Sequence, residues 1–154
     1  ELGLNWVYQY DAIPWLEKDD KKYDVIFCLD VMEHLELDDL MSITNSIMKS
    51  LKANGNVIVQ VPNSISPFSP VFHGDLTHKR AFTKTSIKQL FVHNGFTKVT
   101  IYESKIKNSS FFTKIRQFIY SFLLRPIFYL CSVIIHGRHE AGNYTQNLIA
   151  VISK

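Results

Sequence analysis

From Lys22 onward the apolar positions fall into short blocks whose spacing switches between that of a strand and that of a helix. Tyr23-Asp24-Val25-Ile26-Phe27-Cys28-Leu29 is a run of β-formers bounded by charge, and it predicts a buried parallel strand. Leu37, Leu40, Met41, Thr44, Ile47, Met48 and Leu51 then recur at three- and four-residue spacing, one face of a helix that Ala53-Asn54-Gly55 stops. Asn56 to Val61 predicts a second buried strand, ended by Pro62-Asn63. Ser64 to His78 carries proline and glycine without periodicity, the pattern of a functional loop. Thr83-Lys84-Thr85-Ser86 opens a helix with capping residues; Ile87, Leu90 and Phe91 form its apolar face, and His93-Asn94-Gly95 ends it. Phe96 to Glu103 and Gln146 to Ser153 predict the remaining strands. Strands alternating with helices imply an α/β sheet, with sites just beyond the carboxyl ends of its strands.

Asn108 to Gly142 breaks this alternation. Phe111, Phe112, Ile115, Phe118, Ile119, Phe122 and Leu123 share one helical face with Lys114, Arg116 and Gln117 opposite, and Pro126 restarts a second apolar stretch, Ile127 to Ile135. Phe118 to Ile135 approaches the length of a membrane span. Arg125 and Pro126 sit at its middle, however, and a single crossing would leave the two flanking strands on opposite sides of a bilayer, unable to pair. The pattern therefore predicts two helices that do not cross. Two uses stay open: a cover or lid over the sheet, or an interfacial segment dipping towards lipid or a lipid-linked substrate beside Lys105, Lys107, Lys114, Arg116 and Arg125.

Composition narrows the class. At 154 residues and 17.8 kDa, with 46% hydrophobic and 20% charged residues, the chain has the apolar material of one globular domain. Two cysteines, Cys28 and Cys131, exclude a disulfide scaffold and point to a reducing, cytoplasmic compartment. The chain opens with Glu1 and without a leader, so it reads as part of a longer polypeptide. Residues 1–77 hold five Lys/Arg against twelve Asp/Glu, and residues 78–154 hold twelve against two. The basic half carries no recognised nucleic-acid motif, so no nucleic-acid partner is expected, and peripheral contact with the inner face of a membrane stays open beside a plain helical cover.

The stretch Tyr23 to Leu35, YDVIFCLDVMEHL, resembles the fourth-strand signature of class I S-adenosylmethionine (SAM)-dependent methyltransferases. Tyr10-Asp11-Ala12 is similar to the acidic tripeptide that holds the adenine in that family, and Leu51 to Val59 to its LKPGG-strand. The resemblance covers residues 1–104 and resumes at 144–153. It implies a Rossmann-like sheet of order 3-2-1-4-5-7-6 with an antiparallel last strand, here truncated at the amino terminus and carrying a helical apolar insertion, 108–142, before that last strand. The family's glycine-rich loop and ribose-binding acidic residue have no counterpart, so the 154-residue chain alone is expected to be inactive. Carried over residue by residue, Asp11 would accept a hydrogen bond from the adenine amino group, Ala12 would donate one from its backbone, and Leu29 and Asp30 would line the methionine end.

Asp30, Glu33 and His34 have i, i+3, i+4 spacing, which on one helical turn points three polar side chains the same way. His78 lies in the run Asp75 to Thr83. The set resembles the metal site of small-RNA terminal 2′-O-methyltransferases, and the resemblance implies Asp30, Glu33, His34 and His78 as ligands of a divalent ion that lowers the pKa of an acceptor hydroxyl. A metal-free alternative stands beside it: Glu33 and His34 shape the pocket and His78 is a general base. Pro62-Asn63 sits where the family places substrate-facing residues, and a plain strand-ending turn has the same letters. His93 is expected to cap a helix, and His136 and His139 to be solvated.

These features lead to a SAM-dependent O-methyltransferase of a small-molecule, glycan or lipid-linked acceptor, with a looser resemblance to enzymes of polysaccharide, glycolipid or quinone-precursor biosynthesis. The alternative is a non-catalytic methyltransferase-like module docking on a membrane or a partner through residues 108–139. A strand edge opened by truncation also predicts a homo-oligomer.

Overall fold

The computed structural model describes residues 11–18, 20–104, 110–137 and 142–154. Their elements run α1 (Ala12–Lys18), β1 (Tyr23–Leu29), a 3-10 turn (Met32–His34), α2 (Leu37–Ser50), β2 (Leu51–Pro62), α3 (Pro70–His73), α4 (Lys84–His93), β3 (Lys98–Glu103), α5 (Phe111–Ile119), a π-helical segment (Tyr120–Leu124), α6 (Arg125–His136) and β4 (Asn147–Ser153). The strands form one sheet of order β1-β2-β4-β3. β1 and β2 are parallel, and β4 is antiparallel to both β2 and β3. The order is the 4-5-7-6 half of the expected sheet. The predicted third strand, within residues 1–10, lies outside the described residues.

Register explains the core. Cys28, Val59, Ala150 and Ile101 lie side by side across the four strands, as do Ile26, Val57, Ile152 and Val99. These rows share one face of the sheet because alternate residues of a strand point the same way. Against that face α2 sets Leu40, Ile43 and Ile47, and α4 sets Ile87, Leu90 and Phe91, all buried. Each such side chain taken out of water stabilises the fold by about 1.5–3 kcal/mol. Thr83 and Ser86 exchange side-chain and backbone hydrogen bonds as a capping box, which starts α4 where the sequence places it. Gly95, at φ 89°, ends the turn after that helix.

Three expectations need correction. β1 is parallel but not buried: Val25, Phe27 and Leu29 are exposed on the face opposite the core. α2 is not stopped by Ala53-Asn54-Gly55, because the helix ends at Ser50 and β2 begins at once with Leu51. Asn54-Gly55 instead sits in an irregularity of β2, where Tyr23 pairs Leu51 and Val25 pairs Asn56. A Cβ at Gly55 would lie 3.0 Å from the Tyr23 carbonyl oxygen, so any larger residue there would have to push the strands apart by a few tenths of an ångström. The linker after Tyr10 contains α1, which packs on α2 and which the spacing did not suggest. Finally, Pro126 does not separate two helices. Residues 111–136 form one continuous helix whose register is shifted by the π-helical segment, and the proline is absorbed at the start of α6.

Candidate active site

The carboxyl end of β1 runs into Asp30, whose φ of 53° places it in the left-handed region that Asp tolerates better than most residues. Its N–H donates to the Gln60 carbonyl at 3.0 Å, and its carboxylate accepts from Gln60 Nε2 at 2.8 Å. The 3-10 turn that follows buries Met32 and Glu33. Asp30 precedes this turn, so it does not continue one helical face with Glu33 and His34. Leu29 is exposed on the open face of the sheet. Asp11 and Ala12, both exposed, start α1, where the Asp11 carboxylate accepts from the Ile13 N–H at 3.4 Å.

Glu33, His34 and His78 are brought together from residues over forty positions apart. The Glu33 carbonyl accepts from the N–H groups of Lys79 and Arg80 at 2.7 and 3.0 Å, which fastens the loop to the turn. The loop orients both imidazoles. His78 Nδ1 lies 2.9 Å from the Phe72 carbonyl, which can only accept, so Nδ1 carries the proton and Nε2 keeps its lone pair. The hydroxyl of Thr77 donates to Asp75 at 2.6 Å and therefore accepts from His34 Nδ1 at 2.9 Å, leaving His34 Nε2 as the lone-pair nitrogen too. The two rings have centroids 4.8 Å apart, and Phe72 stacks on His78. Phe72, Asp75 and Thr77 were given no role on sequence grounds; the Asp-x-Thr spacing, whose Thr77 N–H returns to Asp75 at 2.8 Å, is the turn signal that finds two of them.

Electrostatics set this cluster apart. Glu33 is fully buried, and neither of its carboxylate oxygens has a hydrogen-bond partner among the described residues. Burial raises its pKa above the ordinary carboxylate value; the charge of Asp30 adds to the rise, and its own backbone and the two histidines oppose it. Hydrogen bonds from Thr77 hold the Asp75 carboxyl below its usual range. His78 Nε2 is 3.9 Å from both Glu33 Oε1 and Asp75 Oδ2, beyond hydrogen-bond reach. One ligand atom from each of Glu33, His34 and His78 lies within 4.8 Å of the others. An orphaned buried carboxylate beside two lone-pair imidazole nitrogens fits a divalent ion in its donor chemistry. Asp30 stays outside the group, its carboxylate held by Gln60.

Asn63 is a tie rather than a substrate-facing residue. It is 1% exposed; its Nδ2 donates to the carbonyls of Asn143 and Thr145, each at 2.9 Å, and its Oδ1 accepts from Ile65. Beyond it a cavity of about 510 Å³ opens between the loop residues Ser66 and Phe68, the helix residues Arg116 and Tyr120, and Tyr144 and Asn147 at the start of β4. Phe68, which lines it, and its buried neighbour Ser69 both adopt positive φ. His93 is the last residue of α4 rather than its cap, which falls on Asn94, whose N–H and Nδ2 both donate to the Leu90 carbonyl. His139 lies outside the described residues.

A methyltransferase-domain family model matches residues 4–101. A comparison with curated protein sequences gives no match. Among solved structures, a SAM-dependent methyltransferase from Archaeoglobus fulgidus has a TM-score of 0.63 at 20% identity, over 96% of this chain and 66% of its own. A SAM-dependent methyltransferase from Thermotoga maritima gives 0.57 at 13% identity, over 90% and 61%. The plantazolicin methyltransferase BamL, solved with S-adenosylhomocysteine, gives 0.51 at 16% identity, over 94% and 58%. The chain thus spans just under two thirds of the first and less of the others. At these identities the likeness is one of fold. With the family model covering well over half of the 154 residues, this chain belongs to the methyltransferase domain family.

Proposed function

We propose that the chain is the carboxy-terminal part of a SAM-dependent methyltransferase domain that methylates an acceptor oxygen, with Glu33, His34 and His78 at the acceptor. The observation that carries this reading is the fixed tautomer of His78: Phe72 holds the Nδ1 proton, so Nε2 is an acceptor site beside a buried carboxylate. SAM supplies an electrophilic methyl on a sulfonium, whose C–S bonding pair returns to sulfur as the new bond forms. An alcohol is a weak nucleophile until its proton has an acceptor, and His78 Nε2 provides one. Glu33 then stabilises the imidazolium that results. The carboxyl end of β1, with Leu29 and Asp30, and the start of α1, with Asp11 and Ala12, are the surfaces assigned to the cofactor, as expected beyond the strand ends of an α/β sheet.

A divalent ion would be held by Glu33, His34 and His78, where it would lower the pKa of an acceptor hydroxyl. The acceptor class proposed is a small molecule, glycan or lipid-linked hydroxyl, and the compartment is the cytoplasm. The test is transfer of a labelled methyl group from SAM by the intact gene product to hydroxylated acceptors. Label appearing as an alkali-stable ether supports the reading. SAM binding without transfer to any oxygen, or transfer to nitrogen alone, overturns it.

A further inference from the structure

We propose that the helix formed by residues 111–136 lies flat in the interface of an anionic lipid bilayer and holds the domain at the membrane surface. It runs 25 residues over Phe111–Ile135, its most apolar 18-residue window has a mean hydropathy of 1.9, and none of that window is buried. A helix on the surface of a globular protein turns one apolar stripe inward and shows water a polar face. Here Phe112, Phe118, Phe122 and Ile134 are all more than 60% exposed, far beyond the apolar patch that a monomer leaves to water.

Charge identifies what covers it. From Ser104 to His139 the chain contains no Asp or Glu, while Lys114 and Arg116 lie exposed on the helix. A second copy would press cations against cations in an apolar seam. An anionic headgroup layer neutralises them while its acyl chains take up the apolar side chains.

The tethers decide the orientation. At mid-helix, Arg125 Nη2 donates to Glu103 Oε1 at 2.8 Å and to the Gly142 carbonyl at 3.1 Å. Three residues on, the Phe128 carbonyl accepts from the hydroxyl of buried Tyr144 at 3.1 Å. Glu103 pairs with Leu148, so the chain leaves and rejoins the sheet at the same place. A crossing helix of about 38 Å would put this middle at the centre of a hydrocarbon layer about 30 Å thick, dragging an ion pair and the ends of two strands with it. A helix lying flat keeps its tethered side towards the domain and its free side in lipid.

The full chain is tested by flotation with phosphatidylcholine vesicles, with and without phosphatidylglycerol. Binding should be at least about tenfold tighter to the anionic vesicles and should weaken with salt. Phe118→Ser with Phe122→Ser, and separately Lys114→Gln with Arg116→Gln, should each reduce it at least about tenfold. Both pairs are exposed, so circular dichroism should show the fold unchanged. Depth is read from a fluorophore on Phe122→Cys in a Cys131→Ser background, using lipids with quenchers at shallow or deep acyl positions. Shallow quenching supports the proposal. Deep quenching shows a crossing and overturns it, as does failure to float on any vesicle, or a dimer that persists with vesicles in excess and is dissolved by Phe118→Ser with Phe122→Ser. No arm of this test uses SAM, so its failure leaves the catalytic reading untouched.

Discussion

Glu33 Oε1 lies 3.9 Å from His78 Nε2 in a buried pocket, and no described residue donates a hydrogen bond to that carboxylate. The arrangement costs stability, because an unpartnered buried carboxylate resists ionisation. Its raised pKa fixes the sign: the fold has the full contribution of protonated Glu33 below the ordinary value of 4.5 and loses it as pH rises through the higher folded value. Glu33→Gln cannot ionise. In metal-free buffer its melting temperature should equal that of the wild type near about pH 4 and exceed it by roughly 2–4 °C near about pH 8, the shift that ~1 kcal/mol produces in a domain of this size. Equal melting temperatures at both pH values would show that Glu33 already has a partner in solution.

His78 tests the chemistry. In the intact gene product His78→Ala should lower turnover at least about tenfold with cofactor affinity unchanged, since the lost group acts on the acceptor proton. Metal dependence separates its two roles. If Glu33, His34 and His78 hold an ion, exhaustive chelation abolishes turnover and added Mn²⁺ restores it. Full activity after chelation assigns His78 as a metal-free base.

Asp11 tests the cofactor side. Asp11→Ala in the same protein should weaken SAM binding by roughly 1.5–3 kcal/mol, the loss of a hydrogen bond involving a charged group. Calorimetry showing unchanged affinity would leave Asp11 only its hydrogen bond to Ile13 at the start of α1.

Asn63 joins the end of β2 to the segment before β4 through two donated hydrogen bonds. Asn63→Ala would leave the Asn143 and Thr145 carbonyls short of a donor and open a small void, a loss of about 2–4 kcal/mol. Denaturant unfolding measures it. A loss under ~0.5 kcal/mol would mean that water replaces the amide.

How far the sequence discloses this structure depends on how local the cause is. The strands were legible because β-formers in short blocks have few alternatives, and α4 because Thr83 and Ser86 form a local capping box. The end of α2 was misread because Asn54-Gly55 is a stop signal in isolation; only the approach of Tyr23, thirty residues earlier, makes Gly55 part of a strand. Periodicity grouped Asp30 with Glu33 and His34, but the left-handed φ of Asp30 and the tight turn after it break the 3.6-residue phase. The partnership of Glu33 with His78 joins the turn after β1 to the loop after β2 and has no local signal. It came from resemblance, and the Phe72 and Thr77 contacts that fix the tautomers came only from the structure.

Among the described residues β1 pairs only with β2, and Val25, Phe27 and Leu29 stand 42%, 65% and 50% exposed. Parallel strands are normally covered on both faces, and an apolar strand with one free edge recruits another. Two copies of the 154-residue chain should therefore associate through the edge of β1 that no described strand pairs. Measured in mild detergent, so that the helix of residues 111–136 is already covered, light scattering should give a dimer whose melting temperature rises with protein concentration. Phe27→Lys, which places a cation on that surface without touching the Cys28 face, should return it to a monomer. A wild-type chain that is monomeric in detergent, with a melting temperature independent of concentration, would show that the edge of β1 is capped within the chain.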